Sequence, residues 1–464
     1  MNPRKILIFS LAYYPTFVGG AEVAVKEITD RLGLGLGADL KDSQSLYDFY
    51  MITLGDGTLG NTQEGTIKVF RVGNWIAKTL AVLGLRSKSA RDLPRLSKIL
   101  FPLLAIIEAL RLTLIEKYKF NLVWSLMANQ ASASAWAFKL IFRVPFLLTL
   151  QEGDPIEVTM KKIKWVLPFY KLMFKSADKI QAISYYLKSF AVNVMHVKSP
   201  VIVMPNGFDP AIFFPPKSEA EKLSARQAIL NETGWPESSF IMVTSSRLVP
   251  KNGIEYVLRA IPGLISNGVP VKFFIIGDGH LKENLKQIAN ELNINNSVYF
   301  KGYADHVTVS NYLRGSDVFI RPSLSEGLGN SFVEAFACGL PIIATPVGGI
   351  VDFLKDPVNT DLAELRKMYM GNEKDNLNQG HVASADDDSQ KRNGVSCLPK
   401  DPDSIVTGAV FLYKNPKIYN IASAGAISTA KEYRWEVIVG KMKSIFDSIL
   451  SRGRNEMVNN LQIK

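Results

Sequence analysis

Short apolar runs, each followed by a turn and a segment of helical spacing, recur along this chain. That alternation restricts it to α/β architectures in which parallel strands are covered by helices on both faces. In the first half the runs fall at 5–10, 49–54, 66–72, 121–125, 145–151, 179–184 and 201–204. Between the first two, a helix is expected from about Ala21 to Leu32, because Val25, Ile28 and Leu32 share one face. The pattern restarts with runs at 240–246, 271–276, 297–300, 317–321 and 341–345. The turn-rich segment 205–220, with Pro205, Asn206, Gly207, Pro215 and Pro216, is the natural join. At 464 residues the chain exceeds a single hydrophobic core. The expected fold is therefore two Rossmann-like doubly wound domains facing across a cleft. Residues 1–207 form the first and 208–430 the second, with a polar surface insertion at about 356–394. Residues 431–464 are a helical segment that is a candidate to pack back on the N-terminal domain, although periodicity leaves its partner open.

Composition bounds the class. Hydrophobic residues make up 47% and charged residues 21%, which excludes a disordered chain or a coiled coil as the dominant state. Cys338 and Cys397 stand far apart, and the four histidines form no zinc pattern, so a reducing, cytoplasmic, metal-free protein is expected. The run Ile6–Phe9 is too short for a signal peptide. The longest apolar stretch, 99–115, is interrupted by Pro102, Glu108 and Arg111 and predicts no transmembrane helix. A net charge of +11 attracts anionic partners. No nucleic-acid-binding motif accompanies that charge, so nucleic acid is not an expected partner.

In doubly wound sheets ligands bind outside the carboxyl ends of the strands, and two such places carry chemistry. Residues 321–341 read as strand, glycine loop and helix. Gly327 and Gly329 allow close backbone approach, and the amides at a helix start near Asn330, aided by the helix dipole, suit a diphosphate. Glu334 lies one turn into that helix, where its carboxylate can accept two hydrogen bonds from a ribose diol. Glu326 in the loop can reach a sugar hydroxyl. Arg247 and Lys251 also lie where a strand gives way to a helix. A departing nucleoside diphosphate accumulates negative charge, and two fixed cations aimed at its β-phosphate would stabilise the transition state without a metal.

The order Glu326, seven residues, Glu334 resembles the signature of the large family of retaining glycosyltransferases called group 1 or family 4, and the resemblance extends over most of the chain. It implies the GT-B fold, with the donor nucleotide sugar held mainly by the C-terminal domain and the acceptor by the N-terminal domain. It also implies that Glu334 holds the ribose and Glu326 the donor sugar. The backbone of Gly327, Leu328, Gly329, Asn330 and Ser331 would then face the sugar and phosphates. Arg247 and Lys251 match the paired basic residues of the family. Gly19 and Gly20 resemble its N-terminal glycine loop, which faces the donor phosphates and the acceptor. Gln151 stands where many relatives carry a histidine, and an amide cannot take up a proton. Glu152 and Asp154 are candidates to orient the acceptor hydroxyl, although a turn rich in Gly, Asp and Pro explains them almost as well.

Other features are weaker. Gly277-Asp278-Gly279 fits a turn near the nucleotide or a plain structural turn, and 299–303 sits where relatives contact the base. Gly33, Gly35 and Gly37 have the wrong spacing for a dinucleotide fingerprint. Asp386, Asp387 and Asp388 read as a solvated charge run, not a metal site. From Lys78 to Lys98 six basic residues face one acid, Asp92, ahead of the apolar stretch. Lys161, Lys162, Lys164, Lys171 and Lys175 interleave with Trp165, Phe169, Tyr170 and Phe174. Such mixtures fit peripheral contact with an anionic membrane at the inner face of the plasma membrane, and equally two helices with basic outer faces.

The expected reaction transfers a hexosyl unit from a nucleotide diphosphate sugar to a hydroxyl acceptor, without cofactor or metal. The acceptor class is a glycolipid, lipopolysaccharide or exopolysaccharide precursor, and the resemblance implies retention of anomeric configuration. The alternatives are a same-fold sugar phosphorylase or epimerase, and a catalytically silent nucleotide-sugar-binding scaffold at the membrane.

Overall fold

The computed structural model describes residues 3–17, 19–35, 46–57, 59–74, 76, 95–356 and 392–462. The basic residues from 78 to 94 and the insertion from 357 to 391, with Asp386–Asp388, lie outside the described residues. The chain forms two compact units. One comprises Met1–Glu152, Ile156–Asn206 and Trp435–Lys464, and the other Gly153–Pro155 and Gly207–Arg434.

The first unit holds a sheet of β1 (Arg4–Phe9), β2 (Tyr47–Leu54), β3 (Thr62–Glu64), β4 (Ile67–Val72), β5 (Leu122–Leu126), β6 (Phe146–Leu150), β7 (Lys179–Ala182) and β8 (Val201–Val203). Their spatial order is β3-β4-β2-β1-β5-β6-β7-β8. Ile6, Leu7, Ile8 and Phe9 are fully buried, as in a parallel strand covered on both faces. One face lies under the helices Gly20–Gly33 and Trp435–Gln462. Val25, Ile28, Ile438, Met442 and Phe446 join Ile6, Ile8, Phe49 and Trp124 in one core. Arg4 and the Tyr47 hydroxyl each donate to the Asp447 carboxylate at 2.9 Å, so the C-terminal helix belongs to this unit. On the other face lie the helices Arg95–Leu110 and Gln130–Phe142, with Phe138 packed on Phe9.

The sheet departs from the expected parallel pattern at its edge, where β3 pairs antiparallel with β4. The turn between them places Gly65 at φ +59°, and the Asp30 carboxylate accepts the Thr66 amide at 2.7 Å. This anchored turn, not apolar patterning, forms the hairpin.

The second unit contains β9 (Phe240–Ser245), β10 (Val271–Ile276), β11 (Val298–Gly302), β12 (Val318–Arg321), β13 (Ile342–Ala344) and β14 (Gly394–Ser396), all parallel. The order β11-β10-β9-β12-β13-β14 means that the chain builds outward from β9 in one direction and then restarts at β12 in the other. The carboxyl ends of β9 and β12 flank this reversal, where open α/β sheets form their ligand crevice. The two ends of the insertion are joined beside β14. Asn393 accepts the Lys355 amide at 2.8 Å and donates to Phe353 O and Thr429 Oγ1 at 2.8 and 3.0 Å. Asp356 accepts the Ser396 amide at 2.9 Å and pairs with Arg392.

Candidate functional site

The loops leaving β9 and β12 bring the expected donor-side residues together. After β9 the chain passes Arg247, makes one 3-10 turn at Pro250–Asn252 and enters the helix Ile254–Ser266. Gly253 has φ +69°, and a Cβ there would lie 2.0 Å from Pro322 O, so only glycine lets this turn rest on the loop after β12. Leu324 N donates to Lys251 O at 2.7 Å. Gly277 at φ +129° likewise would put a Cβ 1.9 Å from Ser246 O, which gives the Gly277-Asp278-Gly279 turn a packing role.

The Lys251 ammonium donates to Gly153 O at 2.9 Å and lies 4.0 Å from Asp154. Burial lowers its pKa, and Glu326 and Asp154 oppose that shift. Arg247 is exposed, and its charge adds to the positive field felt by Lys251 and Arg321. Ser325 Oγ also donates to Gly153 O, at 3.1 Å.

Glu326 is held from several sides. Arg321 Nη2 donates to its Oε2 at 2.8 Å, and Gly327 N donates to its Oε1 at 3.2 Å. Its carbonyl accepts Gly349 N at 3.0 Å, close against Gly348. Sequence reasoning took Arg321 only as the start of a motif. A cation closing an otherwise apolar strand was the available signal.

Gly329, at φ +91°, caps the helix Asn330–Ala337. The expected freedom of Gly327 is not used in the same way, since its amide serves the Glu326 carboxylate. The Leu328 side chain is in the core, and Ser331 Oγ accepts from Arg321 Nη1 at 2.7 Å. Among the described residues no side-chain hydrogen bond reaches Glu334. Burial raises its pKa, partly offset by His306 and Arg321. A half-buried carboxylate without a donor, beside the positive end of a helix, is an acceptor ready for a ligand's hydroxyls.

The remaining expected residues lie in the first unit. Gly19 and Gly20 start the helix Gly20–Gly33, where Glu22 Oε2 accepts the Gly19 amide at 3.0 Å. Gln151 Oε1 accepts Asn206 Nδ2 at 3.2 Å. Glu152 Oε1 accepts the Ala128 amide at 2.7 Å, so this oxygen holds the loop after β5. Back in the second unit, Tyr299 and Lys301 donate to Glu232 at 3.0 and 2.6 Å, and Tyr312 joins them. Their side chains serve a structural network, while Tyr303 is exposed beyond the strand end. Among the described residues no group of three or more His, Cys, Asp or Glu is arranged to hold a metal.

Residues 225–364 match the family model described as glycosyl transferases group 1. The GDP-mannose-dependent monoacylated alpha-(1-6)-phosphatidylinositol monomannoside mannosyltransferase of Corynebacterium glutamicum is 30% identical over 32% of this chain and 38% of its own length. The UDP-Gal:alpha-D-GlcNAc-diphosphoundecaprenol alpha-1,3-galactosyltransferase of Escherichia coli is 27% identical over 54% of this chain and 64% of its own. The chain thus spans 38 to 64% of the length of these curated relatives. The crystal structure of Anabaena HepE in complex with UDP aligns at a TM-score of 0.67 and 17% identity, over 96% of this chain and 100% of that one. That likeness establishes the fold as GT-B. On that frame, residues 225–364 belong to the glycosyl transferases group 1 family.

Proposed function

We propose that this chain is a glycosyltransferase that moves a hexosyl unit from a nucleotide diphosphate sugar to a hydroxyl acceptor. The observation that carries the reading is that Arg247, Lys251, Glu326 and Glu334 follow β9 and β12, the two strands at the reversal of the second sheet. On this reading Glu334 accepts from the ribose diol, Glu326 accepts from the donor sugar, and the helix start at Asn330 faces the diphosphate. Arg247 and Lys251 stabilise charge on the departing β-phosphate, so that no metal is needed. Configuration is retained by front-face attack: the acceptor oxygen bonds to the anomeric carbon as the bond to the diphosphate breaks, and the leaving phosphate takes the acceptor's proton. A sugar trapped covalently on Gln151, Glu152 or Glu326 would overturn that step. Gly19, Gly20 and Asp154 are assigned to the same donor and acceptor loops.

Two relatives are named for lipid-linked acceptors, which supports an acceptor of that kind at the inner face of the plasma membrane. The surface of the first unit supports it too. No helix among the described residues is long and apolar enough to cross a membrane. Trp165 is nonetheless 91% exposed and Ile99 70%, with Leu103, Ile107, Ile115, Val166 and Phe169 also exposed. Lys161, Lys162, Lys164 and Lys175 are exposed around the aromatic group, whereas Tyr170 and Phe174 are buried in the core. Exposed apolar side chains among lysines suit an anionic bilayer surface.

The testing experiment is a thermal-shift screen of UDP-, GDP-, ADP- and dTDP-sugars on wild type and Glu334→Ala, with EDTA present. A donor at one hundred times its dissociation constant stabilises by about 2.7 kcal/mol. A shift with one base, lost in Glu334→Ala, is the expected result. The absence of any shift would sink the reading, a donor that binds but is never hydrolysed or transferred would favour the silent scaffold, and turnover that depends on inorganic phosphate would identify a phosphorylase.

A further inference from the structure

Arg321 closes β12 with its side chain buried, 7% exposed. All three of its nitrogens are engaged: Nε donates to Ser323 Oγ at 3.2 Å, Nη1 to Ser331 Oγ at 2.7 Å and Nη2 to Glu326 Oε2 at 2.8 Å. One face of the guanidinium lies over the Phe332 ring, 4.4 Å from its centroid. A Cβ on Gly329 would come within 2.8 Å of Nη2, so the glycine also makes room for the cation. Burying a guanidinium is costly unless every donor is matched, and here its fork is matched by groups on two different segments. The carboxylate is in the loop, and the hydroxyl is in the first turn of the helix.

We propose that Arg321 is a positioning residue that locks the Glu326 carboxylate to the helix start at Ser331, so that sugar recognition and diphosphate recognition form one rigid unit. The inference rests on the donor-site reading above. Arg321 does not reach a ligand itself, because it is covered. Its second effect is electrostatic. An anionic carboxylate beside a diphosphate would repel it, and a cation bonded beneath that carboxylate neutralises the repulsion while leaving Arg247 and Lys251 to the phosphates. Lysine cannot replace it, since a single ammonium cannot span both partners with a planar fork.

The experiment compares wild type, Arg321→Met, Arg321→Lys, Glu326→Gln and the Arg321→Met/Glu326→Gln double variant. Calorimetric affinities are measured for UDP, GDP, UDP-glucose and GDP-mannose, and hydrogen exchange is followed in the unliganded protein. Wild type should bind one nucleotide sugar at least ~10-fold more tightly than its nucleoside diphosphate. Arg321→Met should lose that increment and also bind the diphosphate itself several-fold more weakly, because the Glu326 charge is no longer offset, and Arg321→Lys should recover only part of both losses. The double variant should be no worse than Glu326→Gln, as expected for a residue acting through another. Exchange should rise at least ~10-fold at amides 327–332 and not in β9 or β10. Additive losses, a retained increment in Arg321→Met, or unchanged exchange would each overturn the proposal. If wild type binds none of the four ligands, the ADP- and dTDP-sugars with their diphosphates replace them; if those do not bind either, the functional reading fails, and the exchange comparison still decides the lock. Should Arg321→Met give no cooperative melt, Ser331→Ala, which removes one arm of the fork, is expected to lower the increment several-fold, and no change there would overturn the proposal.

Discussion

The backbone carbonyl of Lys251 accepts the amide of Leu324 at 2.7 Å, so the loop that leaves β9 and the loop that leaves β12 are tied together without a ligand. A residue proposed to meet the leaving group and a residue two positions from Glu326, proposed to read the sugar, are thereby fixed to each other. Preorganisation of this kind makes electrostatic stabilisation effective, because little is reorganised during the reaction.

Lys251→Met should lower kcat by about 10²- to 10³-fold, the usual cost of one preorganised electrostatic contact. Initial rates with the donor found by thermal shift measure it. Because burial lowers the Lys251 pKa, the wild-type rate should also fall with rising pH before the ordinary lysine value of about 10.4 is reached.

Glu334→Gln should stabilise the unliganded protein at neutral pH while abolishing donor-induced stabilisation. The folded-state pKa is raised by burial, so the ionised carboxylate costs stability, and that cost is complete above the folded value. It shrinks as pH falls through that value and is gone below the unfolded value of about 4.3. Urea titrations from pH 4 to 8 should therefore show the two proteins converging in acid. A constant gap would contradict this account.

Gly329→Ala should destabilise the second unit by about 1–3 kcal/mol, the range for a strained backbone conformation. Both the φ of +91° and the approach to Phe332 and Arg321 oppose a side chain. Denaturant midpoints would read the loss, and nucleotide-sugar affinity should fall with it.

Asn393→Ala should cost about 2–4 kcal/mol, since it strips partners from Lys355 N, Phe353 O and Thr429 Oγ1 at a fully buried position. Circular dichroism melts would show a lowered transition, with donor selectivity unchanged in the folded fraction.

Vesicle flotation should find wild type on phosphatidylglycerol vesicles at low salt and much less on phosphatidylcholine. Trp165→Glu/Phe169→Glu should weaken that binding at least ~10-fold, and ~0.5 M salt should weaken it further, because the lysine attraction is screened. Equal binding to both lipids would remove the electrostatic part of the reading.

Strands covered on both faces were legible because runs such as Ile6–Phe9 and Phe273–Ile276 must be continuously apolar there. β3 was not, since Thr62, Gln63 and Glu64 carry no apolar pattern and their hairpin is secured by Asp30 from a distant helix. The donor-side loops were legible as glycines and charges after strands. The hold of Arg321 on Ser331 and Glu326, and of Lys251 on Gly153, was not. Such bonds depend on which loops the topology brings side by side, and residue spacing does not encode that. Tyr299 looked like a base contact by position, and its hydroxyl instead belongs to Glu232.

The closing helix, Trp435–Gln462, covers a sheet whose first strand begins at Arg4, while 207–434 form a unit of their own. During synthesis the ribosome therefore releases the whole second unit before Ile438, Met442 and Phe446 can reach Ile6 and Phe49. The later-made unit can close on itself at once, and the earlier-made sheet must wait with part of one apolar face bare, the part that the helix Gly20–Gly33 does not cover. That interval is when the nascent chain is most exposed to aggregation and most in need of a chaperone.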